Sequence, residues 1–164
     1  MNIFTYVLVT ATFLCSLMAG FLFAFAVVVM PGIKNLEDRE FLGSFQAIDR
    51  VIQIGNPLFM AMWLGSTLSL IVAAVMAIKY ETGLDRVLLV SAALASVLLI
   101  QIPTMTINIP LNNRVQALDV KTLDADAASQ AREEFESRWN RWNVLRTVVA
   151  IVILATLLAA LIRN

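Results

Sequence analysis

The chain begins with MNIFTYVLVTATFLCSLMAGFLFAFAVVVMPGI (residues 1–33), a stretch without Asp, Glu, Lys or Arg. Three further long stretches also lack these four residue types: 51–78, 87–113 and 147–162. A bilayer core about 30 Å thick needs roughly 20 apolar residues in a helix. A soluble bundle would instead place charges along the outer face of every helix. The spacing therefore predicts an all-α integral membrane four-helix bundle. The predicted spans are 4–30, 57–79, 85–107 and 143–162.

The composition agrees with a membrane protein and excludes several functions. The 164 residues suit one domain, and 60% are apolar while 15% are charged, against about 45–50% and 25% in soluble domains. Basic and acidic residues number 12 each, so the basic excess of a nucleic-acid binder is missing. The absence of histidine excludes a His-ligated haem, a His zinc site and a Ser-His-Asp triad. The lone Cys15 cannot form a disulfide framework.

The basic residues predict an orientation. Four spans place both termini on one side of the membrane, with three Lys or Arg there and nine on the other side. The positive-inside rule then puts segments 31–56 and 108–142 in the cytoplasm and the termini outside. The expected location is a bacterial cytoplasmic membrane.

Two helices are expected outside the membrane core. Residues 37–53 form an amphipathic helix, with Phe41, Phe45, Ile48 and Ile52 on the apolar face and Gln46, Asp49, Arg50 and Gln53 on the polar face. It either lies at the interface or covers the mouth of the bundle. Residues 124–141 begin with Asp124 as a plausible N-cap and run into the last span, which gives one helix of about 38 residues and about 57 Å.

Small residues and prolines suggest how the spans pack and end. Small residues recur every four positions in two spans, at Ser16, Gly20 and Ala24 and at Ala61, Gly65, Ser69, Ala73 and Ala77. Such stripes serve either packing within the bundle or the seam of a homo-oligomer. Pro31-Gly32 is expected to end the first span, Asn56-Pro57 to begin the second, and Thr82-Gly83 to form the turn before the third.

Polar candidates cluster in two segments and at one helix position. In QIPTMTINIPLNNR (101–114), two prolines each remove a backbone donor, so the helix is expected to be broken here. The segment is then either the capped end of a span or one wall of a polar pocket. In RWNRWNVLR (138–146), residues 139, 142, 143 and 146 lie on one helix face. This face either marks the membrane interface or holds a flat ligand between its side chains. Asp49 is either solvated or a proton acceptor with a raised pKa. No ligand spacing predicts a metal site.

Several motifs together resemble a known family. They are FLFAFAVVVMPG (21–32), FQAIDR (45–50), IPLNNR (109–114), and RWNRWN (138–143) followed by Arg146-Thr147. In this order they are similar to the anthrone oxygenase family of small membrane proteins. The resemblance implies four membrane helices. In fungal members it implies oxidation of an anthrone to an anthraquinone by O2 without a conventional redox cofactor.

The resemblance also implies roles for particular residues. Many relatives have histidine where this chain has Val144, which leaves Asp49 as the candidate base. The other candidate catalytic residues, for stabilising an oxyanion, are Asn113, Arg114, Asn143 and Arg146. The candidate substrate-binding residues are Gln46, Thr104, Asn108, Trp139 and Trp142.

The expected partners are membrane lipid and a flat aromatic or lipid-like small molecule, with no nucleic acid and no cofactor. The alternative function is a non-enzymatic membrane protein that binds a small molecule or lipid, or serves as an oligomeric accessory subunit.

Overall fold

The computed structural model describes residues 2–163 and is helical, with no strand in that range. Four of its helices are long and apolar enough to cross a membrane, and a shorter one joins the first two of them. We number the five helices in chain order: α1 Ile3–Ile33, α2 Asp38–Gln53, α3 Pro57–Tyr80, α4 Gly83–Gln116 and α5 Ala125–Arg163. The prediction of an all-α chain with four spans is confirmed.

The four long helices pack side by side. Helix α1 contacts α3 and α5, and α4 contacts the same two helices. A core of small and branched residues, including Leu8, Leu70, Leu89 and Leu157, fills the space between them. Large apolar side chains such as Leu68 and Val152 are exposed on the outside. This outer surface suits lipid as the solvent, because lipid imposes no cost on exposed apolar groups.

The small residues of α3 are partly used inside the bundle. Ala73 and Ala77 are fully buried in the core. Gly65 faces Leu14 of α1 so closely that an added Cβ would lie 3.1 Å from a Leu14 methyl carbon. Gly20 of α1 is exposed. The role of such stripes in a homo-oligomer stays a prediction.

Helix α2 covers one end of the bundle. Its residues Phe41, Leu42, Phe45 and Asp49 are buried, and it packs on the last two turns of α4 and on the first half of α5. Of the two alternatives for Asp49, the solvated position is therefore not observed. Phe41, Phe45 and Asp49 follow one another at intervals of four, so all three fall on the same side of the helix.

Arg132 of α5 fixes the start of α2. Its guanidinium contacts the carboxylates of Asp38 at 3.1 Å and Glu136 at 2.7 Å. It also donates to the carbonyl oxygen of Leu36 at 2.9 Å and lies 4.3 Å from the centre of the Phe41 ring. These contacts tie the segment before α2, and α2 itself, to the part of α5 that precedes the last predicted span.

The predicted helix starts are confirmed. The Asn56 side chain accepts hydrogen bonds from the backbone N–H groups of Leu58 and Phe59, and Pro57 is the first helical residue. Asp124 accepts from the N–H of Ala127 at 2.7 Å, and α5 then runs unbroken for 39 residues. Gly83, the first residue of α4, has φ +60°, a left-handed conformation that favours glycine.

The prolines do not end helices, which corrects two expectations. Helix α1 continues past Pro31 to Ile33, and α4 continues through Pro103 and Pro110 to Gln116. A π-helical turn precedes each of these three prolines: Phe25–Val29, Ser96–Gln101 and Thr104–Asn108. The residue just before each proline donates its N–H to the carbonyl five residues back, as Ile109 does to Thr104. The wider turn accommodates the proline ring without breaking the helix.

Candidate functional site

A cavity of about 280 Å³ lies where α2 meets the four long helices. This volume is near the lower end of the ~300–1,000 Å³ typical of small-molecule sites. Its walls are mainly apolar and rich in aromatic rings: Phe21, Phe25, Phe45, Phe59, Trp63 and Trp139. Its polar lining residues are Asp49, Gln53, Thr104, Asn108, Asn112, Asn113, Asn143 and Arg146. The arrangement suits a flat, partly polar ligand.

Asp49 lies on the α2 side of the cavity and is only 2% exposed. Its Oδ1 accepts a hydrogen bond from Asn112 Nδ2 at 2.7 Å, and its Oδ2 accepts from Gln53 Nε2 at 2.8 Å and Gln116 Nε2 at 3.0 Å. No Lys or Arg within residues 2–163 forms an ion pair with it. Amide dipoles alone therefore stabilise this carboxylate.

The surroundings of Asp49 shift its proton affinity. Burial raises the pKa of the Asp49 carboxyl, and the hydrogen bonds from Gln116, Gln53 and Asn112 oppose the rise without cancelling it. A carboxylate with a raised pKa is a stronger base than one in water. Asp49 is therefore suited to accept a proton from a ligand in the cavity.

Asn112 connects Asp49 to the aromatic wall. While its Nδ2 donates to the carboxylate, its Oδ1 accepts from Trp139 Nε1 at 2.7 Å. The Trp139 ring packs against Phe45 and Phe25, with centroid distances of 5.5 and 5.7 Å. One amide thus joins α2, α4 and α5 and fixes the orientation of both the base and the indole.

Arg146 provides the opposite charge and is 5% exposed. Its Nη1 donates to Thr104 Oγ1 at 2.9 Å, its Nη2 to Asn143 Oδ1 at 3.2 Å, and its Nε to the Trp142 carbonyl at 3.4 Å. No carboxylate in the described part of the chain pairs with it. A guanidinium has five N–H donors, so two are left for an oxygen atom of a ligand.

The two charges are held at different levels of the cavity by one helix. Thr104 contacts Arg146, and Asn112 contacts Asp49. Thr104 and Asn112 are eight positions apart, about 12 Å along the axis of α4 at 1.5 Å per residue. The cavity can therefore present a base to one part of a ligand and a cation to another.

Seven of the ten residues singled out from the sequence line this cavity: Asp49, Thr104, Asn108, Asn113, Trp139, Asn143 and Arg146. Asn113 Oδ1 accepts a hydrogen bond from Gln53 Nε2 at 3.1 Å. The Asn143 amide donates to the Leu22 carbonyl at 3.3 Å, which fixes it against α1. The roles assigned to these residues stay predictions.

The other three lie outside it. Gln46 donates to the carbonyls of Val115 and Leu118 at 2.7 and 2.9 Å, so it provides hydrogen bonds to backbone carbonyls at the end of α4. Arg114 is exposed and borders a separate groove of about 80 Å³. Because each residue turns a helix by about 100°, Arg114 points away when Asn112 and Gln116 face Asp49. Arg114 and Asp49 therefore do not face the same cavity.

Trp142 is half-buried and is not among the lining residues. Trp139, Asn143 and Arg146 form the stripe of α5 that faces the cavity, and Trp142 lies at its edge. Only the Trp142 backbone takes part, through its carbonyl bond to Arg146.

The sequence reading missed several residues. Gln53 and Gln116 were not among the candidates, and neither were the rings of Phe21, Phe25 and Phe59. The spacing offers a signal for the two glutamines, since Gln53 follows Asp49 by four and Gln116 follows Asn112 by four. Such pairs lie on one helix face.

No three His, Cys, Asp or Glu side chains of residues 2–163 come together as a candidate metal site. The polar groups that face the cavity include amides, one hydroxyl, one carboxylate and one guanidinium. These groups can bind a ligand, transfer a proton and stabilise negative charge on an oxygen atom.

The model of the anthrone oxygenase family matches residues 49–157. The match starts at Asp49, covers α3 and α4, and extends through Arg146 into the second half of α5. It therefore covers more than half of the chain and every polar residue that lines the cavity. No curated protein and no solved structure matches the chain. The chain belongs to the anthrone oxygenase family.

Proposed function

We propose that the protein is a membrane oxygenase that oxidises a flat, electron-rich, anthrone-like compound with O2 in this cavity. One observation carries the proposal: an aromatic-walled cavity contains a buried carboxylate and a buried guanidinium, and neither forms an ion pair within residues 2–163. Buried charges are normally paired, and unpaired ones concentrate at functional sites. Membership of the family supports the same reaction class.

The first step is removal of a proton. In an anthrone, the CH2 group opposite the ketone is acidic, because the resulting anion is delocalised over the three rings and the oxygen. The Asp49 carboxylate accepts this proton, and its raised pKa strengthens it as a base. Asn112 and Gln53 hold the carboxylate in place for the transfer.

The second step is stabilisation of the anion. The negative charge moves to the ketone oxygen, where the N–H groups of Arg146 that are not used by Thr104, Asn143 and Trp142 bind it. Donors positioned in advance at a site shielded from water stabilise such an oxyanion more than water does.

The third step consumes O2. The carbanion carbon transfers an electron to O2 and then forms a C–O bond, which gives a hydroperoxide after protonation. Loss of the remaining hydrogen on that carbon and cleavage of the O–O bond release water and leave a second ketone. One anthrone and one O2 thus become one anthraquinone and one water. The substrate is oxidised by two hydrogens and gains one oxygen atom.

Oxygen consumption tests the proposal. Purified protein in detergent is mixed with a panel of anthrones and hydroquinones, and O2 uptake is compared with the spontaneous rate. We expect Asp49→Asn to lower the enzyme-dependent rate by about 10²-fold or more. Arg141→Ala, an exposed cation five residues before Arg146, should leave it unchanged. Uptake no faster than the spontaneous rate across the whole panel contradicts the proposal.

A second candidate function is binding or carriage of a small molecule or lipid without chemistry. An apolar groove of about 550 Å³ on the flank of α2 favours it, since Phe21, Phe25, Ile52 and Phe59 line both this groove and the cavity. Native mass spectrometry of the purified protein distinguishes the two functions. A carrier retains an unchanged ligand, whereas an oxygenase mixed with an anthrone releases the quinone.

For the orientation we propose that segments 31–56 and 108–142 face the cytoplasm of a bacterial cell, which puts the Asp49 side of the cavity there. The excess of basic residues in these segments supports this arrangement. Cysteines introduced at the exposed positions Arg50 and Lys121 should then react with a membrane-impermeant thiol reagent only after the cells are opened.

A further inference from the structure

Asn108 has a side-chain oxygen that no group in the described residues satisfies. The residue is 2% exposed, lines the cavity and ends the π-helical turn Thr104–Asn108. Its Nδ2 donates to the Trp139 carbonyl at 3.4 Å. Its Oδ1 is shielded and accepts no hydrogen bond, and it is the one such side-chain atom found in residues 2–163.

The assignment of oxygen and nitrogen in this amide follows from its neighbour. A backbone carbonyl can only accept, so the amide nitrogen must face Trp139 and the oxygen must face elsewhere. Two donors of the site bond elsewhere: Trp139 Nε1 donates to Asn112, and Asn143 Nδ2 donates to Leu22. The protein therefore leaves a buried acceptor beside the cavity, and such an atom costs free energy until a donor reaches it.

The position of Asn108 indicates where that donor would lie. Thr104, Asn108 and Asn112 follow at intervals of four on α4 and form one polar stripe toward the cavity. Asn108 is midway between the residue that holds Arg146 and the residue that holds Asp49. A ring placed between the cation and the base therefore has its edge near Asn108.

We propose that Asn108 Oδ1 accepts a hydrogen bond from a free hydroxyl on the bound aromatic compound, so the cavity selects phenols over aromatics without a donor. A ketone or ether oxygen at this place would meet another acceptor and leave both unpaired. Sites built to bind a hydroxyl discriminate strongly against analogues that lack it. The inference rests on the proposed function only because it uses the same cavity. It requires that the aromatic compound binds there, but not that it is oxidised.

The test compares two compounds that differ at one group. 2-Hydroxyanthraquinone and 2-methoxyanthraquinone are already oxidised, so their binding is measured without turnover. Quenching of tryptophan fluorescence reports it, because Trp63 and Trp139 line the cavity. The measurement is made at a pH that keeps the hydroxyl protonated. We expect the wild-type protein to bind the hydroxyl compound on the order of 10-fold more tightly than the methoxy compound.

Two variants separate this role from a structural one. Asn108→Leu removes the acceptor and should bring the ratio of the two dissociation constants close to one. Thr12→Val, which alters a buried hydroxyl of α1 outside the cavity, should keep the wild-type ratio. Partitioning of each compound into detergent cancels when ratios are compared between proteins. The empty Asn108→Leu protein should also unfold at a temperature no lower than wild type, since it has lost an unsatisfied acceptor.

The outcomes are distinct. If wild type binds both compounds equally, or binds neither, the inference is overturned without any variant. An unchanged ratio in folded Asn108→Leu overturns it as well. If O2 uptake with anthrones fails while the hydroxyl preference depends on Asn108, the proposed oxidation is wrong and the inference stands.

Discussion

Asp49 and Asn112 are 63 residues apart in the chain, yet the Asn112 amide donates to the Asp49 carboxylate at 2.7 Å. This bond joins the short helix α2 to the end of α4. Its amide is also the acceptor for the indole of Trp139. The positions of the Asp49 carboxylate and of the Trp139 indole in the cavity therefore depend on one side chain.

Replacing that side chain should affect both partners. Asn112→Leu leaves a buried carboxylate with one donor fewer and an indole N–H without its acceptor. We expect the free energy of unfolding to fall by about 1–3 kcal/mol, measured by denaturant titration in detergent, with a shift in tryptophan fluorescence. Gln130→Ala, which removes an exposed amide bonded only to Glu134, is the control and should change neither. Equal stability of the two variants would contradict the linking role.

The oxidation rate should depend on pH through Asp49. The base acts as the carboxylate, so the rate is low when Asp49 is protonated and rises as pH increases through its pKa. Burial raises that pKa above its usual range, so the rise should occur at higher pH than for a solvated aspartate. The measurement is O2 uptake against pH, corrected for the spontaneous reaction. In the Asp49→Asn variant this rise of the rate with pH should disappear. A rise at the same pH in that variant would assign it to another group.

The forked geometry of Arg146 should matter as much as its charge. Lysine at this position keeps the positive charge but has one nitrogen atom in place of the planar fork, whose separate nitrogens bind Thr104 and Asn143. We expect Arg146→Lys to lower kcat/KM for anthrone oxidation by about 10²-fold. Arg141→Lys makes the same change on the exposed side of α5 and serves as the matched control. Similar losses in both variants would argue against a specific oxyanion contact.

Arg132 should control how firmly α2 covers the cavity. Its bonds to Asp38 and to the Leu36 carbonyl, with its stacking on Phe41, hold the start of α2 against α5. Arg132→Ala should lower the free energy of unfolding by about 1–3 kcal/mol and speed amide hydrogen exchange in α2 more than in α3. Arg138→Ala removes an exposed cation from the same helix. If exchange in α2 is equally slow in both variants, Arg132 does not hold it.

The spans could be predicted from the sequence because lipid excludes charge. That constraint acts on whole stretches of sequence. The absence of Asp, Glu, Lys and Arg therefore identifies all four long helices, and the contacts between the helices need not be known. The limits of α2 were also close, at 37–53 against Asp38–Gln53. The sequence left open whether Asp49 is solvated or buried, because a pattern based on polarity places every carboxylate toward solvent. Three amides from α2 and α4 satisfy this one instead.

Two other differences have local causes. The rule that proline ends a helix assumes hydrogen bonds four residues apart, and the bonds before Pro31, Pro103 and Pro110 span five. Arg114 was selected because of its charge, but its neighbours Asn112 and Asn113 line the cavity. Which of several adjacent polar residues faces inward depends on the phase of the helix, and the π-helical turns change that phase.

The turn at Thr104–Asn108 has a consequence for the spacing of the two charges. If the same residues were wound as an ordinary α-helix, with bonds four residues apart, the rest of α4 would rotate about its axis by up to about 100°. Thr104 would still reach Arg146, but Asn112 and Gln116 would swing off the carboxylate they now hold. The relative directions of the cation and the base therefore depend on the wider turn that lies between Thr104 and Asn112.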